Sequence, residues 1–189
     1  HRMKKLYGVK IHVTVWPLII LTKAVSKRKG NTLLLVGTLL WEPNADAIEW
    51  FCYEVFPLIQ RSVPGATLDI VGEENPYLHV PQDSHIRLHG FVKDIRPFLK
   101  ESCVFILPFR MGDGVRIKSL TAMSYGIPIV STTLGVAGLR VKHGKEVLTA
   151  KTPEDFAQSV ISLLKNTSLA KRLIRDAFSY LLFNHGEDK

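Results

Sequence analysis

Residues 103–118 read CVFILPFRMGDGVRIK and contain the pattern that decides the fold. The uninterrupted apolar run Cys103–Leu107 predicts a strand that is buried on both faces. The loop Pro108–Val115 follows it, and a helix is predicted over Arg116–Tyr125, where Gly126 ends it. A buried strand that leads through a short loop into a helix is the building unit of a parallel α/β sheet.

Similar apolar runs recur along the chain and give about six strands in all. The predicted strands are Thr32–Val36, Ala66–Val71, Ile86–Leu88, Cys103–Leu107, Ile127–Val130 and Val147–Thr149. Because helical patterns separate most of them, we predict an α/β fold: a Rossmann-like parallel sheet with helices on both faces. Ligands of such sheets bind where the strands end, so the loops after the strands are the candidate site.

Several predicted helices have recognisable ends. Asn44 is a predicted N-cap for an amphipathic helix after the first strand, and Pro57 is predicted to kink or end that helix. Asp94 is predicted to cap a brief helix. Thr152 stands before a proline and two acids, which is a strong helix start. The last helix is predicted over about Ser168–Phe183.

The positive charge of the chain is confined to its beginning. The 189 residues carry 25 Lys and Arg against 17 Asp and Glu, a formal net charge of +8. Residues 1–30 hold eight basic residues and no acidic one, so the rest of the chain is neutral. We interpret residues 1–30 as a basic leader or interdomain linker and residues 31–189 as the folded domain. A neutral body argues against a nucleic-acid partner, because a surface that tracks phosphates is usually spread over the fold.

Charge alone also permits an alternative, a leader that makes peripheral contact with an anionic membrane surface. The longest apolar run there, Ile11–Thr22, is too short to span a bilayer, which takes about 20 apolar residues. Cys52 and Cys103 lie far apart in apolar stretches and are interpreted as packing residues. The histidines show no metal-ligand spacing and no Asp-x-Asp motif occurs, so we predict no metal site.

The loop before the predicted helix at Arg116 offers the richest chemistry. Gly112 and Gly114 let the backbone approach a ligand, and the helix start presents unpaired N–H groups and the positive end of the helix dipole. Arg110, Arg116 and Lys118 add positive charge, which suits a diphosphate. The same pattern fits a tight turn with solvated basic residues, and the spacing alone leaves both interpretations open.

Residues 112–132, GDGVRIKSLTAMSYGIPIVST, resemble the donor-site signature of glycosyltransferase family 4. A common form of that signature is G-S-G-T-R-x-K-x-L-E-A-M-A-x-G-x-P-V-V-S-T. Flanking motifs resemble the family in the expected order. They are Val36-Gly37 with Trp41-x-Pro43-Asn44-x-Asp46, Ile70-Val71-Gly72, Gly90-Phe91-Val92-x-Asp94-Ile95-Arg96-Pro97 and Gly135-Val136-Ala137-Gly138-Leu139. The resemblance runs from about Asn31 to Asn184.

The resemblance implies the C-terminal half of a two-domain GT-B enzyme, the half that binds the nucleotide-sugar donor. Arg116 and Lys118 would be the catalytic residues, neutralising the diphosphate leaving group without a metal or another cofactor. The implied donor-binding positions are Gly37, Gly72, Phe91, Val92, Gly112, Asp113, Gly114, Thr121, Gly135 and Val136. Backbone groups around Phe91 and Val92 would meet the base, and the loop at Gly135 would lie near the diphosphate.

The implied reaction is transfer of a hexose, with retention of configuration, from a UDP- or GDP-sugar to a glycan or lipid-linked acceptor, as in polysaccharide biosynthesis. The acceptor would bind an N-terminal domain that residues 1–30 are too short to supply. The implied location is the cytoplasm, with peripheral attachment to the inner membrane face as the alternative for a leader that binds lipid.

Two positions depart from the family pattern. Position 121 is Thr where the family has a Glu that grips the ribose hydroxyls, and a hydroxyl cannot chelate two hydroxyls as a carboxylate does. Asp113 stands where many members carry a Glu, one methylene longer. The alternative function is therefore a catalytically degenerate domain that serves as a binding or interaction module.

Overall fold

A computed structural model describes residues 30–112 and 117–185. Its six strands form one sheet in the order β3-β2-β1-β4-β5-β6, with every neighbouring pair parallel. The strands are β1 (Thr32–Val36), β2 (Thr67–Val71), β3 (Ile86–Leu88), β4 (Val104–Leu107), β5 (Ile129–Thr132) and β6 (Leu148–Ala150). The predicted parallel sheet is confirmed, with strand ends shifted by one or two residues.

The strand order reverses direction between β1 and β4. From β1 the chain builds outward through β2 to β3, then returns to place β4 on the other side of β1. The loops that follow β1 and β4 therefore leave the sheet toward opposite faces, and a crevice opens between them. This switch point is where the two halves of the chain meet.

Helices cover both faces of the sheet, as predicted. They are α1 (Glu42–Trp50), a π-helical stretch (Phe51–Val55), α2 (Phe56–Ser62), α3 (Arg96–Glu101), α4 (Ile117–Ser124), a 3₁₀ turn (Leu134–Val136), α5 (Pro153–Lys165) and α6 (Thr167–His185). Successive residues of β1 show the division: Leu33 and Leu35 belong to one core cluster with α1 and α5, whereas Leu34 belongs to the other with α3 and α4. Such strands read as continuous apolar runs because neither face meets water.

The start of α1 corrects one prediction. Asn44 is not the N-cap: the helix begins at Glu42, preceded by Trp41, whose carbonyl accepts from the Asn44 N–H at 2.9 Å. The physical reason is Pro43, whose fixed backbone angle suits the first helical turn, so the helix starts ahead of Asn44. The Asn44 side chain is thereby turned toward the end of β1, where its Nδ2 donates to the Thr38 carbonyl at 2.7 Å.

Pro57 is predicted to kink or end the helix, and the regular α-helix is interrupted just before it, although the chain stays helical. The π-helical stretch Phe51–Val55 precedes it, and helical structure then resumes as α2 up to Ser62. A wider π turn relaxes the backbone where the proline withholds an N–H, so the chain stays helical. Phe51 and Phe56, at the two ends of this transition, are fully buried in the core.

The predicted cap at Thr152 is confirmed: its hydroxyl accepts from the Asp155 N–H at 3.1 Å at the start of α5. The predicted cap at Asp94 is wrong, because α3 begins at Arg96 and its N-cap is Ile95; Pro97 suits the first turn and sets the start of the helix one residue later. The Asp94 carboxylate instead accepts from the Arg96 N–H at 2.9 Å, two residues along the chain. Within the described ranges, no helix has both the length and the apolar character needed to cross a membrane.

Candidate functional site

The loops after β1, β2 and β3 are joined through their backbones. The Gly37 N–H donates to the Val71 carbonyl at 3.0 Å, and the Gly72 N–H donates to the Gly90 carbonyl at 3.0 Å. The fit is close enough to demand glycine, because a Cβ on Gly72 would lie 1.7 Å from the Gly37 carbonyl oxygen. These two predicted donor-binding glycines thus shape one continuous floor at the ends of three strands.

Lys118 bridges the switch point. It lies in the first turn of α4, and its Nζ donates to the Val36 carbonyl at 2.7 Å, at the end of β1. The same Nζ donates to Asn44 Oδ1 at 3.2 Å and lies 5.0 Å from the centroid of the Phe109 ring. A carbonyl, an amide oxygen and an aromatic face all stabilise a cation. The ammonium is therefore fixed where the loops after β1 and β4 converge.

Asn44 links this cation to the glycine floor. It is 3% exposed, and a Cβ on Gly37 would come within 2.8 Å of its amide group. Its Nδ2 holds the Thr38 carbonyl while its Oδ1 accepts from Lys118. Sequence reasoning missed this residue as part of the site, although it stands in the motif Trp41-x-Pro43-Asn44-x-Asp46 that follows the first strand.

The sequence predicts that Arg110 adds positive charge for a ligand, whereas in the structure the Arg110 charge is matched by Asp46. Its guanidinium forms a two-pronged ion pair with Asp46 of α1: Nε donates to Oδ2 at 3.1 Å, and a terminal nitrogen donates to Oδ1. The guanidinium carbon also lies 5.7 Å from the centroid of the Trp50 ring. The hydrogen bond to Asp46 raises the pKa of Arg110, whose charge is matched within the protein.

The loop after β5 packs against the end of β4. The Gly135 N–H donates to the Thr132 hydroxyl at 3.0 Å, and that hydroxyl donates to the Phe109 carbonyl. A Cβ on Gly135 would lie 2.5 Å from the Leu107 carbonyl oxygen, so glycine is required by this close approach. Val136 is buried in the core beneath. The structure places both predicted residues beside the end of β4.

Phe91 and Val92 lie on the other side of the crevice, after β3. The Phe91 ring is 77% exposed, whereas Val92 packs against the core formed with α3 and α4. Gly90 precedes them with a φ of 62°, a left-handed conformation that glycine adopts without strain. An aromatic face is thereby presented to solvent at the edge of the site.

Thr121 lies one turn beyond Lys118 on α4. Its hydroxyl donates back to the Ile117 carbonyl of its own helix at 3.4 Å. This position offers a short neutral side chain where the resembling family offers a carboxylate. Position 121 thus differs from the family pattern in its residue type, and its hydroxyl bonds to its own helix.

Three predicted site residues, Asp113, Gly114 and Arg116, lie outside the described residues, as does the basic segment 1–29. Gly112, the last described residue before the gap at 113–116, has a φ of 88°. Of the predicted positions that are described, Gly37, Gly72 and Lys118 gather at the strand ends around Asn44.

Titratable groups elsewhere match their packing roles. Burial raises the pKa of the Cys52 thiol to about 12, which keeps it protonated and unreactive. His85, His89 and His143 each hydrogen-bond a neighbouring side chain, namely Asp83, Asp69 and Thr149. Across residues 30–112 and 117–185, no group of three or more His, Cys, Asp or Glu side chains is arranged to hold a metal ion.

The fold and the site define a class of protein. The family model described as "Glycosyl transferases group 1" matches residues 30–166, and the chain belongs to this family. The predicted class, a Rossmann-like domain of the kind that forms the C-terminal half of GT-B glycosyltransferases, is confirmed.

A relative and two solved structures show the extent of the likeness. The chain is 28% identical over 167 residues to an "Uncharacterized 44.6 kDa protein in cps region" of Klebsiella pneumoniae, covering 83% of this chain and 43% of that protein. A mutant of S. aureus TarM, in complex with Fondaparinux, alpha-GlcNAc-glycerol and UDP, superposes with a TM-score of 0.72 at 12% identity, covering 87% of this chain and 34% of that one. The C-terminal domain of a group 1 glycosyltransferase (LpcC) from Francisella tularensis gives 0.63 at 14% identity, covering 81% and 84%.

These proportions locate the chain within its family. It spans less than half the length of the Klebsiella relative and about a third of the S. aureus protein. It corresponds in size to the single C-terminal domain from Francisella.

Proposed function

We propose that this chain is the donor domain of a retaining glycosyltransferase and binds the diphosphate of a UDP- or GDP-sugar at the switch point. The observation that carries the proposal is the Lys118 ammonium, held between β1 and β4 by the Val36 carbonyl and Asn44. A fixed cation at the first turn of a helix, at the ends of parallel strands, is suited to a nucleotide diphosphate. The S. aureus neighbour was solved with UDP, which supports the same ligand class for this chain.

The proposed chemistry is electrostatic. When the bond between the sugar and the diphosphate breaks, negative charge develops on the leaving oxygen. Lys118, together with Arg116, stabilises that charge, and the fixed position of the ammonium avoids the cost of reorganising it during the reaction. No metal and no cofactor other than the donor takes part in this proposal.

The other predicted positions receive matching roles. The exposed Phe91 and the backbone at Val92 face the base, and Gly37, Gly72 and Gly112–Gly114 let the backbone come close to the donor. Gly135 and Val136 line the diphosphate side. A hexose would pass to a glycan or lipid-linked acceptor bound by a second domain, and the residues of this domain would bind the nucleotide. The proposed location is the cytoplasm, with residues 1–30 as the segment that would contact an inner membrane face.

Calorimetric titration with UDP and GDP tests the site. Lys118→Ala should weaken nucleotide binding about tenfold or more, because a charge-assisted hydrogen bond contributes roughly 1.5–3 kcal/mol. Arg116→Ala/Lys118→Ala should weaken it further. The matched control is Lys171→Ala, which removes an exposed lysine of α6 and should leave the titration unchanged. Equal heats for the wild type and the Lys118 variants would refute the assigned site.

Thr121 favours a second candidate, a degenerate domain that acts as an interaction module. Its hydroxyl is directed to the Ile117 carbonyl and supplies no carboxylate for the ribose. In the same titration, Thr121→Glu should raise UDP affinity several-fold over Thr121→Gln, which has the same length without the charge. A wild type without measurable nucleotide binding, combined with no gain from Glu, would support the interaction module instead.

A further inference from the structure

We infer that the Asp46–Arg110 ion pair is a positioning element, which acts with Asn44 and Lys118 to hold the residues just after β4 and the first turn of α4 against helix α1. The inference rests on the proposed function, in which the Lys118 ammonium binds the donor. Asp46 and Arg110 would set the position of these described residues without touching the donor.

The geometry of the Asp46–Arg110 pair fixes the orientation of the Arg110 side chain. Both carboxylate oxygens of Asp46 accept from the Arg110 guanidinium, one of them from Nε at 3.1 Å and the other from a terminal nitrogen. Trp50 adds a ring at 5.7 Å from the guanidinium carbon. A two-pronged contact of a planar guanidinium fixes direction as well as distance, which a single hydrogen bond does not.

A second contact joins helix α1 to the first turn of α4. Lys118 donates to Asn44 Oδ1 at 3.2 Å. Asn44 and Asp46 stand two positions apart near the start of α1, while Arg110 and Lys118 flank residues 111–117 in the sequence. One short stretch of helix therefore holds the chain just before and just after the predicted donor-binding glycines.

The pair contributes little to the stability of the fold. The Arg110 side chain is 46% exposed, and exposed ion pairs contribute roughly 0–1 kcal/mol to folding. Substitutions at Asp46 or Arg110 should therefore leave the domain folded, so that an effect on ligand binding can be measured. Arg110 is also matched by Asp46, so its charge serves the protein's own structure.

UDP titration of this chain with a double-mutant cycle tests the inference. Asp46→Asn and Arg110→Gln should each weaken UDP binding about fivefold, since small displacements of a site lower its efficiency steeply. The double variant should be no weaker than the worse single variant, because both changes break the same contact. Asp176→Asn is the matched control: it removes a carboxylate that pairs with Arg175 on α6 and should bind UDP as the wild type does.

Two outcomes would overturn the positioning role. If Asp46→Asn binds UDP as tightly as the wild type while Arg110→Gln binds weakly, Arg110 contacts the ligand directly. If the two single losses add in the double variant, the residues act independently. Melting temperatures within about 2 °C of the wild type are expected for all variants, given the small stability of exposed pairs.

Amide hydrogen exchange separates this inference from the proposed function. Without nucleotide, Asp46→Asn should speed exchange about threefold at Met111, Gly112 and the first described turn of α4, as local opening becomes easier. A wild type that binds no UDP would refute the proposed function, and the exchange measurement would still decide the contact. Exchange unchanged from that of the wild type would overturn the positioning role.

Discussion

The two sides of the switch point hold their loops by different means. After β1, β2 and β3, backbone hydrogen bonds join Gly37 to Val71 and Gly72 to Gly90, and the side chains that add to them are the neutral amides of Asn44 and Asn75. After β4, charged side chains hold the loop, through Lys118 and Arg110. The first side depends on the absence of a Cβ and the second on the presence of a charge. Substitutions should therefore destabilise the first side when they add a Cβ, and disturb the second side when they remove a charge.

Gly72→Ala should have the largest effect and tests the backbone side. A Cβ would overlap the Gly37 carbonyl oxygen at 1.7 Å, so β1 or β2 must move. We expect a loss of about 3 kcal/mol or more in the free energy of unfolding, at the upper end of overpacking costs. Urea denaturation followed by circular dichroism measures it.

Gly65→Ala is the matched control for that variant. Its Cβ would have Asn31 Nδ2 as nearest neighbour at 3.7 Å, an ordinary contact. The free energy of unfolding should change by less than about 1 kcal/mol, in either direction. Equal losses at both glycines would mean that the close approach at Gly72 is not what constrains the loops.

Asn44→Ala should have an intermediate effect, because the Asn44 side chain joins the two sides. The variant leaves the Thr38 carbonyl without its 2.7 Å donor and Lys118 without this acceptor. Loss of hydrogen bonds by a buried polar group costs about 1–3 kcal/mol, and nucleotide affinity should fall as the ammonium is released. Urea denaturation and UDP titration of the same variant measure the two effects.

Asn75→Ala provides the comparison for Asn44. Its Nδ2 also donates to a carbonyl, that of Leu39 at 3.0 Å, but it lies in a more exposed position outside the charged side. Asn75→Ala should lower the free energy of unfolding by about 1 kcal/mol or less and leave nucleotide binding unchanged. If Asn75→Ala weakened nucleotide binding as much as Asn44→Ala, the bridging role of Asn44 would be wrong.

Asp83→Asn should have the smallest effect on the free energy of unfolding. It tests whether a charged side chain stabilises the part of the chain between β2 and β3. Hydrogen bonds from the His85 N–H and from Gln60 lower the pKa of Asp83, so the folded state favours the ionised carboxylate. That stabilisation is present above the ordinary value of 3.8 and is lost as the pH falls below it through the folded-state pKa.

The expected loss for Asp83→Asn at neutral pH is below about 1 kcal/mol, as for other exposed charged groups. The difference in free energy of unfolding between the wild type and the variant should shrink as the pH is lowered past 3.8. Urea denaturation at both pH values measures it. A gap that widened in acid would contradict the assigned hydrogen bonds.

The sheet could be predicted well from the sequence because its strands are buried on both faces. Runs such as Thr32–Val36 and Val104–Leu107 contain almost nothing but apolar residues, which is typical of strands inside a parallel sheet. The location of the candidate site at the strand ends stays a prediction, which follows from the rule that a parallel sheet binds ligands where its strands end. Lys118 lies there in the structure.

Contacts between distant segments could not be predicted from the sequence. The neighbours of Asn44 favour a helix cap, but its partners, Thr38 and Lys118, are set by how α1 and α4 meet at the sheet. Arg110 has the pattern of free charge because Asp46 lies 64 residues away. A local rule predicts a kink or end at Pro57, whereas the chain stays helical through the π-helical stretch and α2, with Phe51 and Phe56 packed against each other in the core.

The bond between Lys118 and the Val36 carbonyl joins residues 82 positions apart. Contacts of such long sequence separation form late in folding, since the loop-closure entropy must be met before they add stability. The cation is therefore in place only when β1, α1 and α4 are assembled together, because its two hydrogen-bond acceptors, the Val36 carbonyl and Asn44, belong to the early part of the chain. The glycine floor needs only the first three strands, whereas the charged part of the crevice needs both halves of the sheet.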